Sequence, residues 1–518
     1  MPTFRVEEGA PWPEILPARL PEWLARAGPD FLVRQRWYGA KGSPITELTL
    51  LDAAPFRLQT ETVPAAAFCL VQTQSATGKD VYCLPLALAG VRAALPESAV
   101  LAGIERGDER LRLADALQLP AFRQAWLDWL RKGTTLAGRA GVFQAHHAAS
   151  ALKISGECSR LVGAEQSNSS IIYSDPQETP RLIVKLYRRL SAGINPDYET
   201  TAFLAASGQF PYLAAWRGGM EYRPDAASSP EAIRSLAMAQ DYVPNQGDGW
   251  SWLLGQLGAA AKNPQALPLA ALPDIARLGE ITAAMHRALA AGRDHPDFAP
   301  QPFSAGYAAR FERQLIALTR EVAAELRLRL SSLDAATRQW AQTILPALEP
   351  GRRLPAELAH TIELIRIHGD YHLGQVLRTA GDFVVIDFEG EPARPPEERR
   401  WRACALKDAA GMLRSLDYAS ITLERQLIAE AAAPQPQLKA ALSAWNQAAR
   451  AAFWNAYRQA LAVVPARLLP ESPQLAQAAL EAFEWEKAVY ELGYELRHRP
   501  DWVGLPLAGL ARLASSST

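Results

Sequence analysis

Apolar residues recur along the chain with two periods, and the periods predict where helices and strands lie. "PEWLARAGPDFLVRQR" (21–36) has apolar positions at three- and four-residue spacing and reads as a helix. "PITELTLLDAAPF" (44–56) and "AAFCLVQTQSATGKDVYCLPLAL" (66–88) read as strands, the second folding back at the Gly-containing turn "ATGKD". Glu109–Gly133 has helical spacing throughout, with Gly133 where a C-cap belongs. From about 148 the texture is β again: "SALKISGECSRLVGAEQSNSSIIYSD" alternates and turns, and "RLIVKLYRRL" is a short apolar strand. A helix follows, with Asn195 as N-cap, Pro196 at its first position and Gly208 closing it. "SLAMAQDYV" is one further strand. Beyond about 245 long amphipathic helices dominate, as in Pro273–Gly292 and "YAARFERQLIALTREVAAELRLRLSSL". One β insert, Ile367–Gly390, interrupts them.

This order predicts an α+β protein in three segments. Residues 1–105 form a small α+β cap. Residues 106–240 hold a helical segment and a β-rich lobe, and 241–518 a mostly helical lobe. Composition leaves this picture standing: of 518 residues 49% are hydrophobic and 21% charged, ample for a core. A net charge of -1 with no Lys/Arg run offers no face for nucleic acid or an anionic membrane. The four cysteines are scattered without metal-ligand spacing, as for reduced thiols. With no leader-like N-terminus and no long uncharged apolar run, a cytoplasmic location is expected.

The chemistry concentrates in the β insert. "HGDYHLGQVL" (368–377) has the shape of a phosphotransfer loop, in which a carboxylate orients or deprotonates the attacking hydroxyl. Asp370 is that carboxylate. Five positions later, where kinases carry a metal-binding Asn, stands Gln375, the same amide oxygen on a longer stem. "VVIDFEG" then delivers Asp387 at a strand end, as a second metal ligand. The intervening "VLRTAGDFVVI" reads as a hairpin turning at Ala380–Asp382, which brings both ligands to one mouth. His368 and His372 read as loop-bracing residues, Asp408 as a brace or helix cap, and His286 as a packing residue.

Upstream, Lys185 ends an apolar strand, as a phosphate-binding lysine requires, and Glu199 on the next helix is its expected partner. No Gly-rich loop precedes them. The hairpin turn Gln166, Ser167, Asn168 and Ser169 offers backbone N–H groups and small polar side chains to phosphates instead. Met238–Asn245 lies where an adenine ring would meet backbone. Beside the metal ligands, Glu389, Glu391 and Arg394 offer two carboxylates and a guanidinium to a bound acceptor.

These motifs resemble the bacterial maltokinases. "HGDYHLGQVLRTAGDFVVIDFEGEPARPPEERR", "KDAAGMLRSLDYA", "GAEQSNSS", "QDYVPNQGDGW", "KAVYELGYELRHRPDWVGLPL" and, near the start, "RQRWYGAKG" carry the resemblance over most of the chain. It implies a two-lobed, protein-kinase-like fold of the aminoglycoside-phosphotransferase type with an added N-terminal cap. The implied reaction is transfer of the ATP γ-phosphate, with Mg²⁺, to the anomeric hydroxyl of maltose, giving maltose 1-phosphate for α-glucan synthesis. By position Asp370 matches the family's base, Gln375 and Asp387 its metal ligands, Lys185 and Glu199 its phosphate clamp, and Tyr490 and Tyr494 its sugar pocket. The cap is expected to meet a partner such as a maltose-producing trehalose synthase. The alternatives are a kinase of the same fold for another sugar or amino sugar, glucosamine or an aminoglycoside among them, and an inactive binding partner.

Overall fold

The computed structural model describes the chain except for residues 8, 59–62, 148–157, 164–167, 226–231, 264, 266, 349–351, 393, 432–435, 463–465 and 516–518. The chain divides into two compact units, one of 1–203 with 214–244, the other of 204–213 with 245–518.

The first unit is built on two seven-stranded sheets. Its strands are β1 (Thr3–Arg5), β2 (Ile45–Phe56), β3 (Ala65–Ser75), β4 (Gly78–Gly90), β5 (Val100–Arg106), β6 (Glu109–Asp115), β7 (Thr135–Ala137), β8 (Gly141–His147), β9 (Cys158–Leu161), β10 (Asn168–Ser174), β11 (Pro180–Tyr187), β12 (Arg189–Leu190), β13 (Trp216–Pro224) and β14 (Arg234–Asp241). The first sheet runs β1-β5-β6-β4-β3-β2, with β12 also on β4; the second runs β7-β8-β13-β14-β11-β10-β9. The expected hairpin is the β3–β4 pair, where Ser75 faces Gly78 across a two-residue turn.

Strand β3 is buried along almost its whole length because it has cover on both faces. Ala67, Cys69 and Val71 enter a core with Leu16, Leu20, Trp23 and Leu24 of helix α1 (Trp12–Val33). Ala66, Phe68 and Leu70, one residue out of phase, enter a second core with Phe122, Trp126 and Leu130 of helix α2 (Pro120–Lys132). That second core also holds Phe143, Ile171, Leu182, Leu186 and Leu236 of the other sheet. The cap and the β-rich lobe therefore share one core.

Buried polar contacts reinforce the join. Strand β12 leaves the end of β11 and pairs with β4, and Cys83 N donates to Arg188 O at 2.8 Å. The buried Arg188 guanidinium pairs with Asp115, donates to Ser169 Oγ at 2.8 Å and stands 4.8 Å over the Trp37 ring. Asp52, 1% exposed on β2, accepts from Arg139 N at 2.6 Å, Ala140 N at 3.2 Å and Tyr222 Oη at 2.9 Å.

Two helices differ from expectation. Helix α1 starts nine residues before "PEWLARAG" and contains Pro17, Pro21 and Pro29. Prolines forfeit helix hydrogen bonds, and here the apolar stripe buried on the sheet outweighs that loss. The helix expected over Glu109–Gly133 begins only at Pro120. Its first residues form β6, because "ERLRLAD" also alternates and its Leu111 and Leu113 meet β4 and β5. Helix α3 (Pro196–Ser207) starts as expected, with Asn195 Oδ1 accepting from Asp197 N at 2.8 Å and Tyr198 N at 3.3 Å.

The second unit is mostly helical: α4 (Gly249–Ala260), α5 (Leu272–Ala290), α6 (Ala305–Arg329), α7 (Ala335–Leu348), the short α8 (Pro396–Arg399), α9 (Leu406–Ala431), α10 (Pro436–Leu461), α11 (Pro473–His498) and α12 (Gly504–Ser515). Helix α5 packs along α10, and α11 lies against α9, α6 and α12. Between α7 and α8 the chain forms the predicted hairpin, β17 (Val376–Arg378) with β18 (Phe383–Val385); the earlier pair, β15 (Gln301–Pro302) with β16 (Glu363–Leu364), is only two residues long. No helix of the described residues is long and apolar enough to cross a membrane.

Candidate active site

The loop bearing Asp370 is fixed through its backbone. The buried Asp408, at the start of α9, accepts from His368 N at 2.8 Å and Gly369 N at 2.9 Å. It also meets His286 Nε2 at 3.1 Å, and His286 Nδ1 meets Tyr457 Oη at 2.9 Å. Burial pushes the Asp408 carboxyl up, but His286, His368 and the Gly369 N–H outweigh it and hold the group below the usual range. His368 Nε2 reaches Ile386 O at 2.9 Å, tying this loop to the strand before Asp387. His372 caps the short turn at Leu373–Gln375 through Gly374 N. Three expected bracing roles are thus observed, and His286 carries a hydrogen-bonding role besides packing.

Asp370 is half-buried. Its Oδ1 lies 3.1 Å from Lys487 Nζ of α11, and its Oδ2 is 3.8 Å from His372 Nε2. Burial pulls the Lys487 ammonium down, but Asp370, Glu491 and Glu391 outweigh it, so the group stays above the ordinary lysine range. Burial lowers the His372 imidazole.

Gln375 and Asp387 flank the open end of the β17–β18 hairpin, where Ile386 N donates to Gln375 O at 3.0 Å. Asp387 adopts a left-handed backbone, φ 68°, rare for a residue with a Cβ. A carboxylate oxygen of Asp387 and one of Glu389 lie within 4.8 Å of each other. Hard oxygen donors in this setting suit Mg²⁺. Two glycines let the loops approach: a Cβ on Gly369 (φ 84°) would stand 3.0 Å from Gly390 Cα, and one on Gly390 (φ 73°) 2.8 Å from Arg399 Cβ.

Beside these loops lies a narrow cavity of about 60 Å³, lined among others by Gly369, Gly390, Glu391, Arg394, Lys407, Phe483 and Glu486. A still smaller one of about 20 Å³ reaches Tyr371, Lys487 and Tyr490. An ion-pair network forms the walls. Lys407 Nζ contacts Glu391 at 3.3 Å and Glu486 at 2.9 Å. Arg394 contacts Glu391 at 2.8 Å, Glu486 at 3.2 Å and Glu398 at 3.3 Å. Burial raises the Glu391 carboxyl, but Lys407 and Arg394 outweigh it and bring it down to about 2.

In the first unit, Lys185 lies on β11 opposite Met238 of β14. Asp197 Oδ2 on α3 lies 3.1 Å from its ammonium, and Glu199 is buried one half-turn further along the same helix. Asn168 and Ser169 open β10, where the Ser169 hydroxyl accepts from Arg188. Gln166 and Ser167 lie outside the described residues.

The structure thus gathers Asp370, Gln375, Asp387, Glu389, Glu391, Arg394 and Tyr490 around one pair of loops. Tyr494 is 42% exposed, stacks on His498 and lines neither cavity. Lys487, Lys407, Glu486 and Asp197 were not singled out from the sequence. The readable hint was position: Lys487 stands three residues before Tyr490 on the same helix face.

Residues 31–118 match the maltokinase N-terminal cap domain, and residues 160–390 match the phosphotransferase enzyme family. The chain is 31% identical over 369 residues to a glucosamine kinase of Streptacidiphilus jiangxiensis, covering 70% of this chain and 74% of that protein. It is 29% identical over 366 residues to a glucosamine kinase of Mycolicibacterium smegmatis, covering 69% and 80%. A solved glucosamine kinase in complex with glucosamine, ADP and inorganic phosphate aligns with a TM-score of 0.62 at 25% identity, over 95% of this chain and 98% of that one.

Proposed function

This chain belongs to the phosphotransferase family that carries a maltokinase N-terminal cap and is a sugar kinase; we propose that its acceptor is maltose, phosphorylated by ATP at the anomeric hydroxyl. The observation that carries the choice of acceptor is charge. The 60 Å³ cavity has five cationic side chains (Arg310, Arg394, Arg399, Arg402, Lys407) against three carboxylates (Glu391, Glu398, Glu486). Each of these carboxylates already meets a cation. An amino sugar brings an ammonium and needs a spare carboxylate, whereas a neutral disaccharide needs hydrogen-bonding groups and an apolar wall. Phe483, which lines both cavities, and Tyr490 in the smaller one can supply the apolar wall.

In the proposed reaction Asp370 orients the anomeric hydroxyl and takes its proton. The hydroxyl oxygen bonds to the γ-phosphorus, and the bond from that phosphorus to the bridging oxygen breaks to release ADP. Lys185, steadied by Asp197, would hold the nucleotide phosphates. Mg²⁺, held by Gln375 and Asp387 with Glu389 beside them, would neutralise charge on the phosphates when bound. The ammonium of Lys487 keeps Asp370 turned toward the acceptor until the proton moves.

A second reading, glucosamine as acceptor, is favoured by the names of the relatives. Phosphorylation assays with maltose, glucose and glucosamine separate the two. Turnover of maltose with the highest kcat/KM is expected, and an Asp370→Ala variant should lose about 10²–10⁴-fold in kcat. Turnover of glucosamine but not maltose would replace the first reading with the second.

A further inference from the structure

A run of alternating charges lies behind Asp370. Lys487 pairs with it at 3.1 Å. One turn further along α11, Glu491 shares the face of Lys487. Glu491 Oε2 accepts from Arg414 Nη2 at 2.7 Å and Nε at 3.0 Å, across from α9. Arg414 Nη1 reaches Asp417 at 3.0 Å, and Asp417 is held in turn by Arg450 at 3.1 Å, Arg512 at 3.0 Å and Asn446 at 3.1 Å. The Arg414 side chain is 1% exposed. Helix α12 makes room for it, since a Cβ at Gly509 would collide with Arg414 Nη1.

Neither Arg414 nor Glu491 lines the sugar cavity. Buried ions are costly, and a well-packed apolar pair would serve stability as well. Their place in the chain of contacts suggests a use. When Asp370 takes the acceptor's proton its negative charge vanishes, and Lys487 would be left largely buried without its counter-charge. Glu491 supplies a second one, and Arg414 fixes Glu491 so that it does not draw Lys487 away from Asp370.

We propose that Arg414 and Glu491 are positioning residues that hold Lys487 against Asp370 through the catalytic cycle. This rests on Asp370 acting as the base in the reaction proposed above. Asp370 faces Lys487, His372 and Tyr490, and Lys487 also faces Glu391 and Glu491; of these only Glu491 is altered in the test. The test is the pH dependence of kcat/KM. Glu491→Gln removes a negative charge beside Lys487, so Asp370 feels a more positive surrounding and the acid limb moves to lower pH, by about half a unit or more. Arg414→Met leaves Glu491 to compete for Lys487, so the limb moves to higher pH. Gly509→Ala displaces the guanidinium with its charge intact and should move the limb the same way as Arg414→Met, by less. Combining Glu491→Gln with Arg414→Met should return the limb toward wild type.

A merely structural role would lower soluble yield or kcat and leave the limb in place. An unmoved limb in the isosteric Glu491→Gln enzyme, or shifts of one sign in Glu491→Gln and Arg414→Met, overturns the proposal. The profiles are taken with whichever sugar the wild type phosphorylates. Failure with maltose then counts against the acceptor assignment alone.

Discussion

Lys487 and Asp370 stand 117 residues apart in the chain and 3.1 Å apart in the fold. At the scale of single residues, such pairs decide where the motif side chains are held. Asp370, Gln375 and Asp387 could be singled out from the sequence because phosphoryl transfer calls for such groups at a short, ordered spacing, and the fold places them on one loop and hairpin. Lys487 and Asp197 were not, because a lysine or aspartate on a helix is ordinary until its partner is known. Glu391 gives a residue-scale prediction. Its folded carboxyl lies near 2, below the unfolded value of about 4.3, so its ionised form stabilises the fold above about pH 4.3 and that contribution is lost as pH falls toward 2. Urea unfolding of wild type and Glu391→Gln should differ by at most about 3 kcal/mol at pH 6. The gap should fall to about half by pH 3 and approach zero at about pH 2 and below; a gap independent of pH would show that Glu391 is not the linked group.

At the scale of elements, the loop of Asp370 and the turn after Asp387 work as one piece. His368 bonds to Ile386, and Gly369 stacks closely on Gly390. Gly390→Ala would put a Cβ 2.8 Å from Arg399 at a φ of 73°. It should cost about 2 kcal/mol and lower kcat more than it raises KM, because the displaced turn carries Asp387 and Glu389. Thermal unfolding and steady-state kinetics check this; an unchanged kcat would mean the turn tolerates the shift. Elements also show where periodicity misleads. Residues Glu109–Asp115 carry both helical and alternating spacing, and two neighbouring strands decided between them. In α1 three prolines argue against a helix that sheet burial nevertheless holds.

At the scale of the whole chain, the cap is continuous with the lobe beside it. Phe56 and Phe68 of the cap share a core with Phe143, Ile171 and Leu182, and Arg188 and Asp52 bind across the join. Deleting residues 1–105 should therefore give an insoluble or aggregated chain rather than a free kinase; a soluble, active product would refute the shared core. The proposed partner of the cap is consequently tested on the full chain, with the cap's surface altered and its core intact. What the sequence determined by itself is local: the α+β order, the hairpins, the helix caps and the loop that carries Asp370, each set by spacing and residue type over a few positions. Tertiary structure decided what depends on neighbours far along the chain: the strand at 109–115, the proline-bearing helix, the ion partners of Asp370 and Lys185, and the fusion of cap and lobe. Burial and ion pairing depend on which surfaces meet in space, and no window of sequence contains both sides of such a contact.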